Sequence, residues 1–420
     1  LKDVTNTNPV VKSANVSGRN VTLQAGIAIG ETKGAVVVPT NIDPRNLTDE
    51  MKVALASAER SDIVVTDSTI TVLRRAPVNF SALDAFNASV TAAPVAGTDI
   101  GSAFLASMGS ARLGTIDVTG ETRIKVRGSI TNASLASSPL QTGNLVLEAA
   151  YGGIGYVPGS GVNAGQSQPL RLNLRDGATL TARASDNIEI EEEGDLNIDT
   201  VFSRKTAKLT AEGSILDAIG DNGLNVLADK IELTARTGSM GAAGAGALDV
   251  GMTGTSGRIT AKAAGDIHLN GPRGRNQNFG DVTAGGSANL SGEVDLRLYG
   301  AVQAAGAVDL SAALTLAMAS TASVRSTASD LTLSAGELSM ADGATLRGDV
   351  GTVHIDTLTD ATITGISTGN GTANAVRIKA GGNVRDGGDT NLDIVADTAP
   401  AAGVTIEAGG DIGKGNPLEM

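Results

Sequence analysis

Strand-sized alternations of apolar and polar residues, each closing on a Gly-Ser-Ile-like corner, recur along this chain about every two dozen residues. LTAEGSI (209–215), LTARTGSM (233–240), ITAKAAGDI (259–267) and VTIEAGGDI (404–412) are variants of one phrase. Matched strand positions are spaced by 29 residues from Leu180 to Leu209, 24 to Leu233, 26 to Ile259 and 28 from Val376 to Val404. A unit this short cannot bury its apolar face alone, so the copies must stack on one another and share a core. Helical repeats would need two helix-length apolar stripes per unit, and Gly or Asn falls too often here for helices to run. Strands and turns remain, and a solenoid coil made only of these is a parallel β-helix, each coil hydrogen-bonded to its neighbours. At about 25 residues per coil the length allows roughly 14 to 17 coils.

Composition fits a thin aliphatic core. The chain has 420 residues with 54 Gly and 41% hydrophobic residues, but only five Phe, three Tyr and no Trp. Small and β-branched side chains suit a narrow interior, and glycines suit its tight corners. A formal net charge of −13 repels phosphates and argues against nucleic acid as a partner. The absence of Cys excludes disulfides and thiolate metal sites, and suits a chain exported through an oxidising compartment. No apolar run of about 18 residues is present, so no membrane-spanning helix is expected. Leu1-Lys2-Asp3-Val4 does not begin a signal peptide, and the sequence stops at Asn416-Pro417-Leu418-Glu419-Met420, partway into a new coil. The chain is therefore expected to be an internal segment of something longer.

One region breaks the pattern. Residues 1–38 read as β-helix coils, 39–113 as a helix-containing excursion packed on the rod, and 114–420 as continuous coils. Pro39 and Pro44 open the excursion, and LTDEMKVALASAER (47–60) reads as a helix capped by Thr48, with Asp49 and Glu50 at its positive end and Arg60 at its negative end. Leu47, Met51, Leu55 and Ala58 form a stripe expected to pack on the rod. Phe80, Phe86 and Phe104 suggest a small core within the excursion. Insertions in solenoids commonly carry recognition, which makes this one the candidate binding surface.

Three phrases resemble a known family. ITNASLASSPLQTGNLVLEAAYGGIG (130–155), AGGDIGKGNPLEM (408–420) and LTDEMKVALASAERSDI (47–63) are similar to repeats of giant filamentous-haemagglutinin-like exoproteins of Gram-negative bacteria. The resemblance implies a right-handed β-helical filament exported by two-partner secretion and used as a surface adhesin or matrix component. It places the chain outside the cell or on its outer surface. Its implied partners are adjacent segments of the same filament and host-cell or matrix glycans or proteins. The family's N-terminal secretion domain is not among these residues. The fold class expected is thus all-β, a right-handed parallel β-helix (β-solenoid) with a short helix-containing excursion.

Candidate chemistry is sparse. Glu189, Glu191 and Glu193 could offer hard oxygens to calcium, although strand alternation puts all three on one solvated face while Ile188 and Ile190 turn inward. Asp386 and Asp389, in RDGGD, and Asp217, Asp221 and Asn222 are Asx-rich corners that could serve calcium or simply close turns. The calcium-binding nonapeptide GGxGxDxUx does not occur. His268 and His354 lie in separate alternating strands, too far apart along the solenoid to share a zinc ion or a catalytic triad. No catalytic residue and no cofactor are expected. The alternative is a polysaccharide-degrading β-helix enzyme, but Trp is missing and Tyr151, Tyr156 and Tyr299 are scattered. Ice binding would need Thr-x-Thr on every coil, and only Thr69-Ile-Thr71 and Thr362-Ile-Thr364 occur.

Overall fold

The computed structural model describes residues 14–59, 62–95, 98–134, 139–156, 168–220, 223–272, 274–275, 277–388, 392–396, 403–413 and 417–419. They form a parallel β-solenoid of about 12 turns with one short α-helix among the described residues. This is fewer than an even 25-residue coil would give, and residues 31–76, which leave the solenoid, account for part of the difference. Two units are present, one of Leu1–Gly152 with Asn173–Ala178 and one of Gly153–Leu172 with Thr179–Met420.

In the second unit the strands pair in parallel with strands of neighbouring turns, and like side chains stack. One column runs Ile190, Leu209, Leu233, Ala261, Val282, Val302, Val324, Leu346, Ile366, Ile394. Another runs Leu248, Leu269, Leu290, Leu310, Leu333, Ile355, Ile378, Ile406. All members of the first column are buried, and each Val, Leu or Ile buried in this way contributes about 1.5–3 kcal/mol before entropy is counted. The spacing read from sequence is right at Leu209–Leu233 and Val376–Val404. Elsewhere it slips: Leu233 stands over Ala261, with Ile231 over Ile259, and Leu209 stands under Ile190 rather than Leu180. The phrase recurs on the same face, but corners of different length shift where the next copy lands.

The corner explains why the phrase recurs at all. Ser214 N donates to Asp195 Oδ1 (2.7 Å), Ser239 N to Ser214 Oγ (3.2 Å), Asp266 N to Ser239 Oγ (3.0 Å), Ser287 N to Asp266 Oδ1 (2.7 Å) and Ala307 N to Ser287 Oγ (3.2 Å). Each Ser or Asp thus accepts from the same corner one turn later, satisfying a backbone N–H that leaves the strand ladder there. The residue before it is Gly because the acceptor of the previous turn occupies the space where a Cβ would stand: on Gly238 it would meet Ser214 Oγ, on Gly286 Asp266 Oδ1. The residue after it, Ile215, Met240 or Ile267, turns into the core and stacks on its counterpart. Gly-Ser/Asp-Ile therefore encodes space, acceptor and core contact in three consecutive positions.

In the first unit Val16–Ala25 pairs in parallel with Val78–Val90, and Val78–Val90 with Ala111–Val118. Strands Val78–Val90 and Ala111–Val118 therefore belong to the solenoid of this unit, and the departure from it spans 31–76 rather than 39–113. Phe80 and Phe86 stack with ring centroids 3.8 Å apart. With Phe104 they are buried on solenoid strands, not in a core of the excursion. The excursion is an antiparallel sheet in the order Glu31–Pro39, Thr69–Ala76, Ile63–Val65, covered by the helix Asp49–Ser57. Thr48 caps the helix by accepting from Met51 N (3.2 Å). Arg60 lies outside the described residues. Leu47, Met51, Leu55 and Ala58 pack around Val36, Val38, Ala54 and Val72. The helix stripe thus faces the excursion's own sheet rather than the solenoid, because the antiparallel strands offer the nearest unpartnered apolar face.

Candidate functional site

The excursion is fastened to the solenoid by charge. Asp62 accepts from Arg75 Nε (2.8 Å) of the excursion and from Arg123 Nη1 (2.6 Å) of the solenoid strand Thr122–Val126. Arg75 Nη1 also reaches Thr32 Oγ1 (2.7 Å) and Asp99 Oδ1 (2.5 Å), Arg123 pairs with Glu121, and Lys125 bridges Glu59 (3.0 Å) and Glu148 (3.2 Å). The two guanidiniums stand over the Phe104 ring, 5.0 and 5.4 Å from its centroid. Burial raises the Asp62 carboxyl, but the hydrogen bonds and charge of Arg123, with those of Arg75, outweigh it and hold its pKa below the usual range. Burial likewise lowers the Arg123 pKa, and its bonds to Asp62 and Glu121 more than restore it. A cleft of about 680 Å³ opens beside this network, lined in part by Lys33, Val53, Arg74 and Asn79.

Away from the fastening, the excursion is apolar on its surface. Val37, Val53, Ile63, Val64 and Val65 are all exposed, and Ile63–Val65 is an edge strand paired only with Thr69–Ala76 among the described residues. Exposed aliphatic side chains on an open edge are a surface suited to capturing another chain. Sequence reading located the insertion but not its anchor. Asp62, Arg75 and Arg123 are far apart in sequence and carry no shared motif; only burial in the folded chain distinguishes them.

The acidic run is engaged mainly in ion pairs between turns. Ile188 and Ile190 turn inward as expected. Glu191 pairs with Arg236 (2.6 Å), Glu193 with Arg171 (2.9 Å), and Arg236 also with Glu212 (3.2 Å). Glu189 is buried in the strand rather than standing on an open face, and adjacent Glu192 is buried too, accepting from Gly194 N (3.1 Å). Asp217 accepts from Ile219 N and Gly220 N, both at 2.9 Å, so it closes a turn; Asp221 and Asn222 lie outside the described residues. His268 and His354 share one column with Asn289, Asp309 and Thr332 between them, four turns apart. At about 4.8 Å per turn they cannot meet.

Asp386 behaves differently, and not with Asp389, which lies outside the described residues. Asp386 ends the strand Val384–Asp386 directly beneath Ile363, on the inward side, and is only 8% exposed. Asp393, at 1% exposure, and Glu419 bring carboxylate oxygens to it, all three lying within 4.8 Å of one another. Glu419 is held there through its backbone: Asp393 N donates to Glu419 O (2.8 Å) and Glu419 N to Asp393 Oδ2 (3.0 Å). Asp386 Oδ1 accepts from Gly388 N (2.9 Å). Asp386 Oδ2 and Glu419 Oε2 are buried with no hydrogen-bond partner. The sequence signal was an Asp two residues after Val384, at the same inward parity; Asp393 and Glu419 carried none.

No protein-family model matches the chain, and neither a curated protein nor a solved structure matches it significantly.

Proposed function

We propose that this chain is an internal structural segment of a large secreted filamentous adhesin or extracellular matrix protein of a Gram-negative bacterium. In this reading the solenoid is a spacer and residues 31–76 are its recognition element. The observation that carries it is the excursion's two-sided character: it is locked to the solenoid through Asp62 and Arg123, and it presents exposed Val37, Ile63, Val64 and Val65 outward. A part held by buried charge yet faced with aliphatic residues supports presentation of a binding surface more than simple packing. Strand addition along Ile63–Val65 is the mode such an edge favours, with backbone hydrogen bonds giving affinity. The partners proposed are host-cell or matrix proteins or glycans at this surface, and adjacent segments of the same filament along the solenoid axis. The role is binding without turnover.

The test is binding of the purified chain to host-cell surfaces and matrix preparations, alongside an assay of acidic-polysaccharide depolymerisation. Binding that falls at least tenfold in Val64→Lys, with no polymer cleavage, is the expected result. Depolymerisation by the unaltered chain would replace this reading with the enzymatic one.

A further inference from the structure

We propose that Asp386, Asp393 and Glu419 form a calcium site that clamps the 417–419 segment across the turn containing Val384–Asp386 and Ile394–Val395. The position of Asp386 makes the argument. Val384 and Asp386 stand under Ala361 and Ile363, both wholly buried, so a carboxylate occupies a place that the previous turn gives to an aliphatic side chain. An ionised carboxylate in such a place is costly unless something positive meets it. Asp386 Oδ2 and Glu419 Oε2 are buried and meet no hydrogen-bond donor among the described residues. Three carboxylates drawn within 4.8 Å repel one another as well.

A hard divalent cation removes both penalties. Calcium takes six to eight oxygens at about 2.3–2.6 Å in flexible geometry, which places neighbouring ligand oxygens about 3–5 Å apart. The three carboxylates match that spacing and supply the charge. Magnesium holds its ligands at about 2.0–2.1 Å in a strict octahedron and retains its waters, so an all-carboxylate set suits it less. Because Glu419 and Asp393 also bond through their backbones, binding would stiffen the turn rather than recruit a loose side chain.

The experiment is calorimetric titration of calcium into the metal-stripped full chain at neutral pH, repeated with magnesium and with Asp386→Asn and Glu419→Gln. Saturable binding of one calcium tighter than millimolar, a rise in melting temperature with calcium, and at least tenfold weaker binding in both variants are expected. Each variant relieves repulsion, so without calcium its melting temperature should equal or exceed that of the parent, and circular dichroism confirms that it folds. Absence of calcium binding by the folded parent up to 10 mM would overturn the proposal. Binding unchanged in both variants, or tighter for magnesium than for calcium, would overturn it equally.

Discussion

Arg123, on a solenoid strand, donates to Asp62 of the excursion at 2.6 Å, and each side chain is 5% exposed. This pair sets how the excursion responds to mutation and to acid. Removing one partner of a buried ion pair strands the other charge, which typically costs about 3–5 kcal/mol. Asp62 keeps Arg75 at 2.8 Å, so Arg123→Met should destabilise the excursion by less, about 1.5–3 kcal/mol, the worth of a hydrogen bond to a charged group. Limited proteolysis reads it as earlier cleavage within 31–76, while the solenoid's circular dichroism is unchanged.

Acid should loosen the same contact. The folded pKa of Asp62 lies below the ordinary Asp value near 3.9. Its stabilising contribution is therefore complete above that value and lost as pH falls through the lower, folded pKa. Hydrogen exchange of residues 31–76 should accelerate as pH falls below about 4, and the acceleration should vanish in Asp62→Asn. An equal pH response in that variant would assign the loosening to other carboxylates.

The leucine column predicts a core cost. Leu333 is stacked between Leu310 and Ile355 and is almost wholly buried, so Leu333→Ala removes contacts on both sides and leaves a cavity. A loss of about 2–5 kcal/mol is expected in denaturant unfolding. A loss below 1 kcal/mol would mean that the column relaxes around the gap.

The corner predicts coupling between residues one turn apart. Gly286→Ala places a methyl group against Asp266 Oδ1, whereas Gly26→Ala meets nothing within 4 Å. The first should destabilise by about 1–3 kcal/mol and the second stay within about 0.5 kcal/mol. In a double-mutant cycle Asp266→Ala should ease part of the Gly286→Ala cost, although it also leaves Ser287 N without its acceptor.

Much of the fold was legible because a solenoid writes its rules locally. Leu209-Thr-Ala-Glu-Gly-Ser-Ile215 shows strand parity, corner and return to the core within seven residues, and the structure uses each position that way. Register was less legible: the Leu233–Ala261 pairing depends on how many residues the intervening corner takes, which alternation does not record. The excursion's limits are not legible in one dimension, because Phe80 and Phe104 look like a separate core yet both sit on solenoid strands paired to neighbouring turns. The carboxylate cluster was half visible. Asp386 stood out, but Asp393 and Glu419 reach it only through the folding of a later segment.

The Ser/Asp relay at the corner points one way. Each hydroxyl or carboxylate oxygen accepts from the turn that follows it in sequence, so a finished turn already displays the acceptors that its successor requires. Such a polymer is templated vectorially: a layer can dock correctly with only its predecessor in place. Duplicating a stretch of gene that spans one turn adds a layer without rewriting any other, and a chain emerging start-first through a narrow channel could organise as it appears.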